Sequence, residues 1–348
     1  MESMNKKGVV LVTAVGNIGT GSQIVECLFK GNNDNLYIIG TDISLDSIYC
    51  REKLDALYKV PRVTEANFEY EFERIILQHN VKIVFVGSIN EAMWCYGHQD
   101  FFDRHKIFVV LGEEKLFNLC MRKDEMFHYL EMKNIPVPRY RKIQKLEDCE
   151  AIDFFPLVLK PNKYAIASNH VYVAFDKEEL LLLSQYAIKN GFEMLAQEWK
   201  GDSTQEYSVS VTHDGLGVKY GSIAIKRDFS SSISRKISYR KKGQEYIISS
   251  GITQGVVTDN DHLLQQAEKI AIALNSKGPL NIQGIWENDI FWLIDAHPAI
   301  TSGAYMRALS GYNEPLFWVE LLLHKRIINL SFEEIRINRR MQVEVDTL

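Results

Sequence analysis

The chain has few of the features that mark extracellular, membrane-spanning or disordered proteins. Its 5 cysteines are scattered and include no Cys-x-x-Cys pair, which argues against a disulfide framework or a zinc site. Only 8 of the 348 residues are proline, so no long disordered linker is indicated. No apolar run approaches the roughly 20 residues that a membrane helix needs. We therefore expect a cytoplasmic protein with no membrane segment.

An excess of positive charge is also missing. The sequence has 40 basic and 45 acidic residues, which gives a formal net charge of −5. This balance argues against a general nucleic-acid binder, because such proteins carry a basic excess. Charged residues make up 24% and apolar residues 46% of the chain, the usual mix of a soluble globular protein. The length predicts about two or three domains.

The first third of the chain predicts strands that alternate with helices. The apolar, β-branched run Val9–Val15 is typical of a buried parallel strand. Further short apolar runs cover residues 36–40, 81–86 and 107–111. Because helical patterns separate these runs, we expect a parallel sheet with right-handed crossovers.

Three glycines follow the first predicted strand and allow two interpretations. Gly16, Gly19 and Gly21 could bring the backbone close to a phosphate at a helix N-terminus, with Asp42 placed to bind a ribose. Their spacing is Gly-x-x-Gly-x-Gly, which differs from the usual dinucleotide pattern Gly-x-Gly-x-x-Gly. The alternative is that they only permit a tight turn between strand and helix.

The middle third has an α+β character. An amphipathic helix is predicted over residues 123–133, and the prolines of Asn134-Ile-Pro-Val-Pro138 end it. A strand over 155–159 ends in Lys160-Pro161. Residues 206–212 alternate between polar and apolar, which predicts a half-exposed antiparallel strand, and a hairpin turn follows at 213–217.

This series of elements resembles the ATP-grasp superfamily, in the subgroup of the carbamoyl-phosphate synthase large chain, from about Gly8 to Lys325. The resemblance implies an α/β and α+β fold in which a Rossmann-like pre-ATP-grasp domain precedes a two-lobed ATP-grasp unit. The implied boundaries are 1–115 for the first domain, 116–195 for the small lobe or lid, 196–330 for the large lobe with the metal strand, and 331–348 for a charged C-terminal segment.

The resemblance implies that ATP binds between the two lobes. Lysines at a helix start and at a strand end would contact the phosphates, a hinge segment would contact adenine, and a glutamate would accept hydrogen bonds from the ribose. The residues in these positions are Lys123, Lys160, Gln197, Glu198, Trp199 and Glu206.

The resemblance also implies a metal site and a charge-stabilising arginine. Gln283, Asp295 and His297 fall on the metal strands, and oxygen ligands such as the first two suit Mg²⁺. An imidazole ligand is less suited to Mg²⁺, so Mn²⁺ is an alternative metal. Arg227, in the basic pair after the hairpin, would stabilise the phosphoryl group during its transfer.

The sequence departs from the family pattern at several positions. The lid stretch 162–170 contains no glycine, although the family has a glycine-rich loop there. Asp295 is one methylene shorter than the usual glutamate, and His297 replaces an asparagine. Ala299 stands where an arginine would contact phosphate and acyl group.

The function implied is ATP-dependent, ADP-forming ligation, in which a carboxylate is activated as an acyl phosphate and joined to an amine. The partners expected are small-molecule carboxylate and amine substrates, with no nucleic acid and no membrane, and a homodimer is allowed. Two alternatives stay open. One is a nucleotide-binding protein without turnover, and the other is an NAD-linked enzyme that uses the N-terminal glycine turn.

Two stretches rich in Lys and Arg extend beyond these motifs. Residues 226–242 hold seven Lys or Arg opposed only by Asp228, which is typical either of a solvated mobile loop or of a flap that attracts an anionic substrate. In the charged stretch 336–348, Arg339-Arg340 is similar to a basic position that some relatives have near the acyl substrate.

Overall fold

A computed structural model describes residues 8–16, 19–31, 36–163 and 169–337. These residues form a parallel sheet, two antiparallel sheets and a separate two-stranded hairpin. Part of the predicted lid loop, residues 164–168, lies outside the described residues. The same holds for residues 338–348, which include Arg339 and Arg340 and most of the predicted C-terminal segment.

The first unit is a five-stranded parallel sheet with helices between its strands, as the alternating pattern predicted. The strand order is β3-β2-β1-β4-β5, and all neighbouring pairs are parallel. Its elements are β1 (Gly8–Thr13), α1 (Thr20–Gly31), β2 (Leu36–Asp42), β3 (Ala56–Lys59), α2 (Phe68–Gln78), β4 (Ile83–Phe85), α3 (Ile89–Gly97), α4 (Gln99–His105), β5 (Phe108–Val110) and α5 (Glu114–Cys120).

The strand order reverses direction between β1 and β4, and glycines allow close packing at this point. A Cβ atom on Gly21 or Gly87 would lie only 2.2 or 2.1 Å from the carbonyl oxygen of Thr13. These two glycines therefore serve the tight turn and the approach of the chain to β1. Asp42 accepts a hydrogen bond from the backbone N–H of Gly16 at 2.7 Å, so its carboxylate is directed at the turn itself.

The second unit is a four-stranded antiparallel sheet with the order β6-β9-β7-β8. The Asp176 side chain accepts a hydrogen bond from the backbone N–H of Glu179 and caps the second helix of this unit. The elements of this unit are α6 (Lys123–Met132), β6 (Tyr140–Ile143), β7 (Leu157–Pro161), β8 (Tyr172–Ala174), α7 (Lys177–Lys189) and β9 (Met194–Glu198).

The third unit is a six-stranded sheet with the order β16-β15-β10-β11-β14-β17, beside which β12 and β13 pair as a separate hairpin. Its elements are β10 (Glu206–His213), β11 (Lys219–Arg227), β12 (Arg235–Lys241), β13 (Gln244–Ser249), β14 (Gly255–Thr258), α8 (Asp261–Ala273), β15 (Pro279–Glu287), β16 (Ile290–His297), α9 (Ala304–Leu309), α10 (Glu314–His324) and β17 (Arg336–Ile337). Three short 3₁₀ turns, at 51–53, 146–151 and 203–205, complete the described elements.

Strand β10 corrects one prediction: it is buried along its whole length and not half-exposed. It lies between β11 and β15 in the sheet, so both of its edges are paired, and helix α8 packs against one of its faces. Its polar side chains face other buried polar groups instead of water. Ser210 and Thr212 donate hydrogen bonds to the carboxylate of Glu314 at 3.0 and 2.7 Å. The alternation of polar and apolar residues in β10 therefore reflects a buried polar network and not a face exposed to solvent.

The first and third units share an apolar core. Helices α9 and α10 pack against α1, and Ile24 and Leu28 join Phe317 and Val319 in one buried cluster. The Asn313 side-chain amide donates to the carbonyl oxygen of Cys27 at 2.9 Å. This packing fixes the edge of the parallel sheet next to the antiparallel sheet. Within the described ranges, no helix is long and apolar enough to cross a membrane.

Candidate functional site

A cavity of about 650 Å³ lies where the three units meet. Nine of the ten predicted site residues line it, although they come from strands and helices distributed between residues 123 and 297. These nine residues are Lys123, Lys160, Gln197, Glu198, Trp199, Glu206, Gln283, Asp295 and His297. The tenth, Arg227, does not line the cavity. The fold thus gathers most of the residues that the family pattern singled out, and their individual roles remain predictions.

Two lysines and an aspartate form a charged cluster in the middle of the cavity. The Lys123 ammonium lies 3.0 Å from Oδ1 of Asp295 and is almost completely buried. The Lys160 ammonium donates to the carbonyl oxygen of Ile294 at 2.7 Å and lies 5.6 Å from the ring centre of Phe127. The carboxylate of Asp295 stays 38% exposed, toward the cavity.

Asn162 brings the two lysines together, and sequence reasoning did not single it out for this role. Its backbone carbonyl accepts from the N–H of Lys123 at 3.0 Å, and its side-chain oxygen accepts from the N–H of Asp124 at 3.0 Å. The start of α6 is thereby attached to the residue that follows β7, which ends in Lys160-Pro161. Because Asn162 is fully buried, this connection is shielded from water.

The cluster changes the protonation of its members. Burial and the neighbouring charge of Lys123 lower the pKa of Lys160 to about 7, although Asp295 opposes this shift. Burial alone would raise the pKa of Asp295, but the two lysines outweigh it and lower that pKa. Burial, together with Lys123, lowers the pKa of His297 to about 4, so its imidazole is neutral near pH 7.

The predicted metal ligands face one another across two strands. Gln283 on β15 is the register partner of Asp295 on β16, and Asn281 is the partner of His297. Within the described ranges, no group of three or more His, Cys, Asp and Glu could hold a metal ion. One carboxylate and one amide oxygen still fit Mg²⁺, which takes few protein ligands and completes its shell with phosphates and water.

The hinge end of the cavity offers a buried acceptor and a flat apolar wall. Gln197 is 3% exposed, and its side-chain oxygen has no hydrogen-bond partner among the described residues. The next residue, Glu198, pairs with Arg139 at 3.3 Å and with Lys200 at 3.0 Å. The Lys200 ammonium also lies 4.1 Å from the ring centre of Trp292. The Glu198 carboxylate is therefore already satisfied, whereas the buried amide oxygen of Gln197 has no partner among the described residues.

Arg227 reaches the cavity only through Glu206. Its guanidinium pairs with the Glu206 carboxylate at 2.6 Å and donates to the carbonyl oxygen of Ile252 at 2.9 Å. The side chain of Arg227 is fully buried. Glu206 lines the cavity, so Arg227 fixes the orientation of that carboxylate from behind.

A network of polar side chains that the sequence did not reveal surrounds Asn281 on β15, next to β16. The side-chain oxygen of Asn281 accepts from Arg307 at 2.8 Å, from Ser208 at 3.0 Å and from Thr301 at 3.2 Å. Asn281 also lines the cavity. The position of Asn281 two residues before Gln283, on the same face of β15, was the available signal. Nothing in the sequence linked Arg307 to it.

The C-terminal part of the basic stretch forms β12, which pairs with β13 in a hairpin that has one edge over the cavity. Ile247 and Ile248 line the cavity from β13. On the other strand, the Lys241 ammonium lies 3.0 Å from the carboxylate of Glu179 and 4.4 Å from the ring centre of Phe175, both in the second unit. The hairpin, called the flap below, thus contacts both the cavity and the second unit.

No family model and no curated protein sequence matches the chain. Solved structures do match it over most of its length. An N5-carboxyaminoimidazole ribonucleotide synthetase in complex with ADP aligns with a TM-score of 0.65 at 14% identity, covering 93% of this chain and 78% of that one. Biotin carboxylase from Campylobacter jejuni aligns with a TM-score of 0.62 at 14% identity, covering 97% of this chain and 75% of that one. L-amino acid ligase from Bacillus licheniformis aligns with a TM-score of 0.63 at 11% identity, covering 94% of this chain and 76% of that one.

These likenesses confirm the fold that the sequence resemblance predicted. The chain has the ATP-grasp fold, with a parallel-sheet domain before two antiparallel lobes. At identities of 11–14% the likeness concerns architecture, and the chemistry of the site has to be argued from the side chains of this chain.

Proposed function

We propose that the cavity binds MgATP and that the chain is an ADP-forming ligase. It would activate a carboxylate as an acyl phosphate and join it to an amine or a similar nucleophile. The observation that carries this proposal is the cluster of Lys123, Lys160 and Asp295 halfway along one cavity, with Gln283 facing the aspartate. Phosphoryl transfer needs such concentrated charge more than it needs covalent chemistry from the protein.

The hinge end suits the adenosine part of the nucleotide. The free side-chain oxygen of Gln197 can accept a hydrogen bond from the exocyclic amino group of adenine. Trp199 and Ile248 supply apolar surface, and the Glu206 carboxylate, held by Arg227, can accept from ribose hydroxyls. A nucleotide placed this way directs its phosphates toward Lys123 and Lys160.

The proposed reaction has two steps. A carboxylate oxygen of the acid attacks the γ-phosphorus of ATP, the bond to the β-phosphate oxygen breaks, and ADP leaves. The amine attacks the carbonyl carbon of the acyl phosphate, phosphate leaves, and the nitrogen loses a proton. Lys123 and Lys160 hold the phosphate oxygens throughout, and the β12–β13 flap excludes water that would hydrolyse the acyl phosphate.

The metal would be held by Asp295 and Gln283 together with the phosphates, and it would neutralise charge on the transferred group. His297 is neutral near pH 7, so its buried Nδ1, which lacks a partner among the described residues, does not add positive charge there. Magnesium and manganese remain alternatives that direct titration distinguishes.

A second candidate function is nucleotide binding without turnover. Ala299 places a methyl group in the cavity wall where the related ligases are expected to have an arginine. In addition, Asp295 is already engaged by Lys123, so a metal has to share its carboxylate. An NAD-linked enzyme gains no support, because the Asp42 carboxylate accepts from the backbone N–H groups of Gly16 and Ser44.

Calorimetric titration tests the nucleotide part of the proposal. The purified protein is titrated with a non-hydrolysable ATP analogue in Mg²⁺, in Mn²⁺ and in EDTA, and separately with NADH. We expect binding of the analogue that depends on the metal, and no heat from NADH. Metal-independent binding would favour the protein without turnover, and no binding of the analogue would refute the proposal.

Two further properties accompany the proposal. We propose that the substrates are small molecules and that the protein acts in the cytoplasm, which remains a prediction from composition. A homodimer also remains a prediction, which light scattering at several protein concentrations tests directly.

A further inference from the structure

The cavity continues past the lysine cluster to an end that carries no charge. This switch-point end is defined by residues 19–20 and 87–90 of the parallel-sheet unit and by residues 299–302 after β16. None of these residues is Asp, Glu, Lys, Arg or His. Within the described ranges, the charged residues that line the cavity therefore belong to its hinge end and its centre.

The switch-point end lies where an open parallel sheet normally receives ligands. The strand order reverses between β1 and β4, and the crevice beyond the carboxyl ends of these strands opens into the cavity. If the nucleotide occupies the hinge end and its phosphates reach the lysines, the molecule that reacts with the γ-phosphate lies beyond them. The acid substrate is thus placed at the switch-point end.

Two ionisable groups lie behind this wall, a base and an acid. The base, Arg307, is buried and donates hydrogen bonds to Ser208 at 3.0 Å and to Asn281 at 2.8 Å. Glu91 is 7% exposed and accepts hydrogen bonds from the hydroxyls of Thr13 at 2.6 Å and Ser88 at 2.8 Å. It lies in the first turn of α3, where its carboxyl group and the Ser88 cap complement the exposed N–H groups of the helix. Among the described residues, no cation lines this end of the cavity, and the helix end is already compensated by Glu91 and Ser88.

We propose that the acid substrate is a small monocarboxylic acid whose body carries no phosphate and no second carboxylate. Its single carboxylate points to the Lys123–Lys160 cluster, and its body packs against Ile89, Leu111 and Ile300, which line the cavity. Burying a phosphate or a second carboxylate at an end without a cation would cost far more than burying an apolar or hydroxyl-bearing body. This inference rests on the proposed function and names its substrate class.

Matched pairs of acids test the inference by binding, so that it does not depend on turnover. The full-length protein, saturated with the non-hydrolysable ATP analogue and Mg²⁺, is titrated with glycerate and 3-phosphoglycerate, with L-serine and O-phospho-L-serine, and with L-valine and L-aspartate. We expect at least one first member to bind, and the second member of its pair to bind at least about tenfold more weakly. Tighter binding of the phosphorylated or dicarboxylic members, or binding of none of the six, would overturn the inference.

Charge insertion sharpens the same measurement. Asn90 is exposed and lines the switch-point end from α3, whereas Met93 is exposed on the same helix and does not line it. We expect Asn90→Lys to reduce the discrimination against the phosphorylated members about tenfold, and Met93→Lys to leave it unchanged. Equal effects of the two substitutions would contradict the placement of the acid.

ADP release in the presence of ATP, acid and hydroxylamine, as a surrogate nucleophile, reports separately on the proposed function. Selective acid binding without ADP release would support the inference and reject the ligase activity. ADP release that occurs only with phosphorylated or dicarboxylic acids would do the reverse.

Discussion

The two ends of the cavity differ in the number of charged side chains that line them. The hinge end and the centre hold three lysines, three carboxylates and an imidazole, and most of these groups already have partners in the protein. The switch-point end is built from glycine, hydroxyl, amide and aliphatic groups. Charge of this kind fixes a polyanion in one orientation, whereas an uncharged wall selects a ligand by its shape and by excluding further charge.

The largest expected effect is at the carboxylate in the centre of the cavity. Asp295→Asn removes the acidic member of the proposed metal ligands and the partner of Lys123, and it should reduce ADP formation at least about a hundredfold. Asp289→Asn is the matched control, because Asp289 is an exposed acid in the turn between the same two strands, where asparagine tolerates the positive φ. Steady-state ADP release measures both variants. Equal activities would contradict the role of Asp295.

The second prediction concerns pH and the charge of Lys160. Because its pKa is about 7 in the free protein, the ammonium loses its proton as the pH rises above 7. The protonated form binds phosphates, so affinity for the ATP analogue should fall between pH 7 and pH 8.5, by about threefold to tenfold. The dissociation constant in saturating Mg²⁺ is measured by calorimetry at each pH.

Lys160→Arg is the test of this assignment, since arginine stays charged over the whole range. We expect the pH dependence to flatten in Lys160→Arg, with thermal unfolding used to establish that the variant is folded. An unchanged slope would mean that another group is responsible.

The third prediction concerns the unpartnered oxygen of Gln197. Gln197→Leu removes the acceptor proposed for adenine, and the affinity for the ATP analogue should drop about fivefold to tenfold, the loss expected for one hydrogen bond. Stability should not fall, because the acceptor has no partner in the free protein. Thermal unfolding and calorimetry measure the two effects. A stability loss with unchanged affinity would show a structural role instead.

The smallest expected effect is at the flap. Lys241→Met removes the ion pair with Glu179 and the contact with the Phe175 ring, and nucleotide dissociation should become about twofold to threefold faster. Arg240→Met is the control, because Arg240 is exposed on the same strand. Stopped-flow displacement of a fluorescent ATP analogue measures both rates. Identical rates would separate the flap from nucleotide retention.

The sequence predicted the charged part of the site much better than the uncharged part. The apolar pattern locates the helix and the strands that carry Lys123, Lys160 and Asp295. The order of these elements resembles that of the ATP-grasp superfamily, in which site residues occupy the corresponding positions. The parallel sheet and the cap at Asp176 were predictable for the same reason, since they depend on local periodicity and side-chain chemistry.

The remaining features depend on contacts between distant segments. The alternation in β10 predicted solvent on one face, because a sequence does not show that Arg307 and Glu314 will cover that face. The connection made by Asn162 requires the start of α6 and the end of β7 to meet. The switch-point end has no signature at all, since residues such as Gly87 and Ala299 are compatible with many environments. Tertiary packing decided all three.

Photoaffinity labelling with 8-azido-ATP tests the difference between the two ends most directly. The protein is irradiated with the probe and Mg²⁺, with and without excess ATP, and the labelled peptides are identified by mass spectrometry. We predict ATP-protected labelling in the hinge segment, residues 194–200. Protected labelling at the glycine turn, residues 16–21, would place the base at the switch-point end and contradict the account.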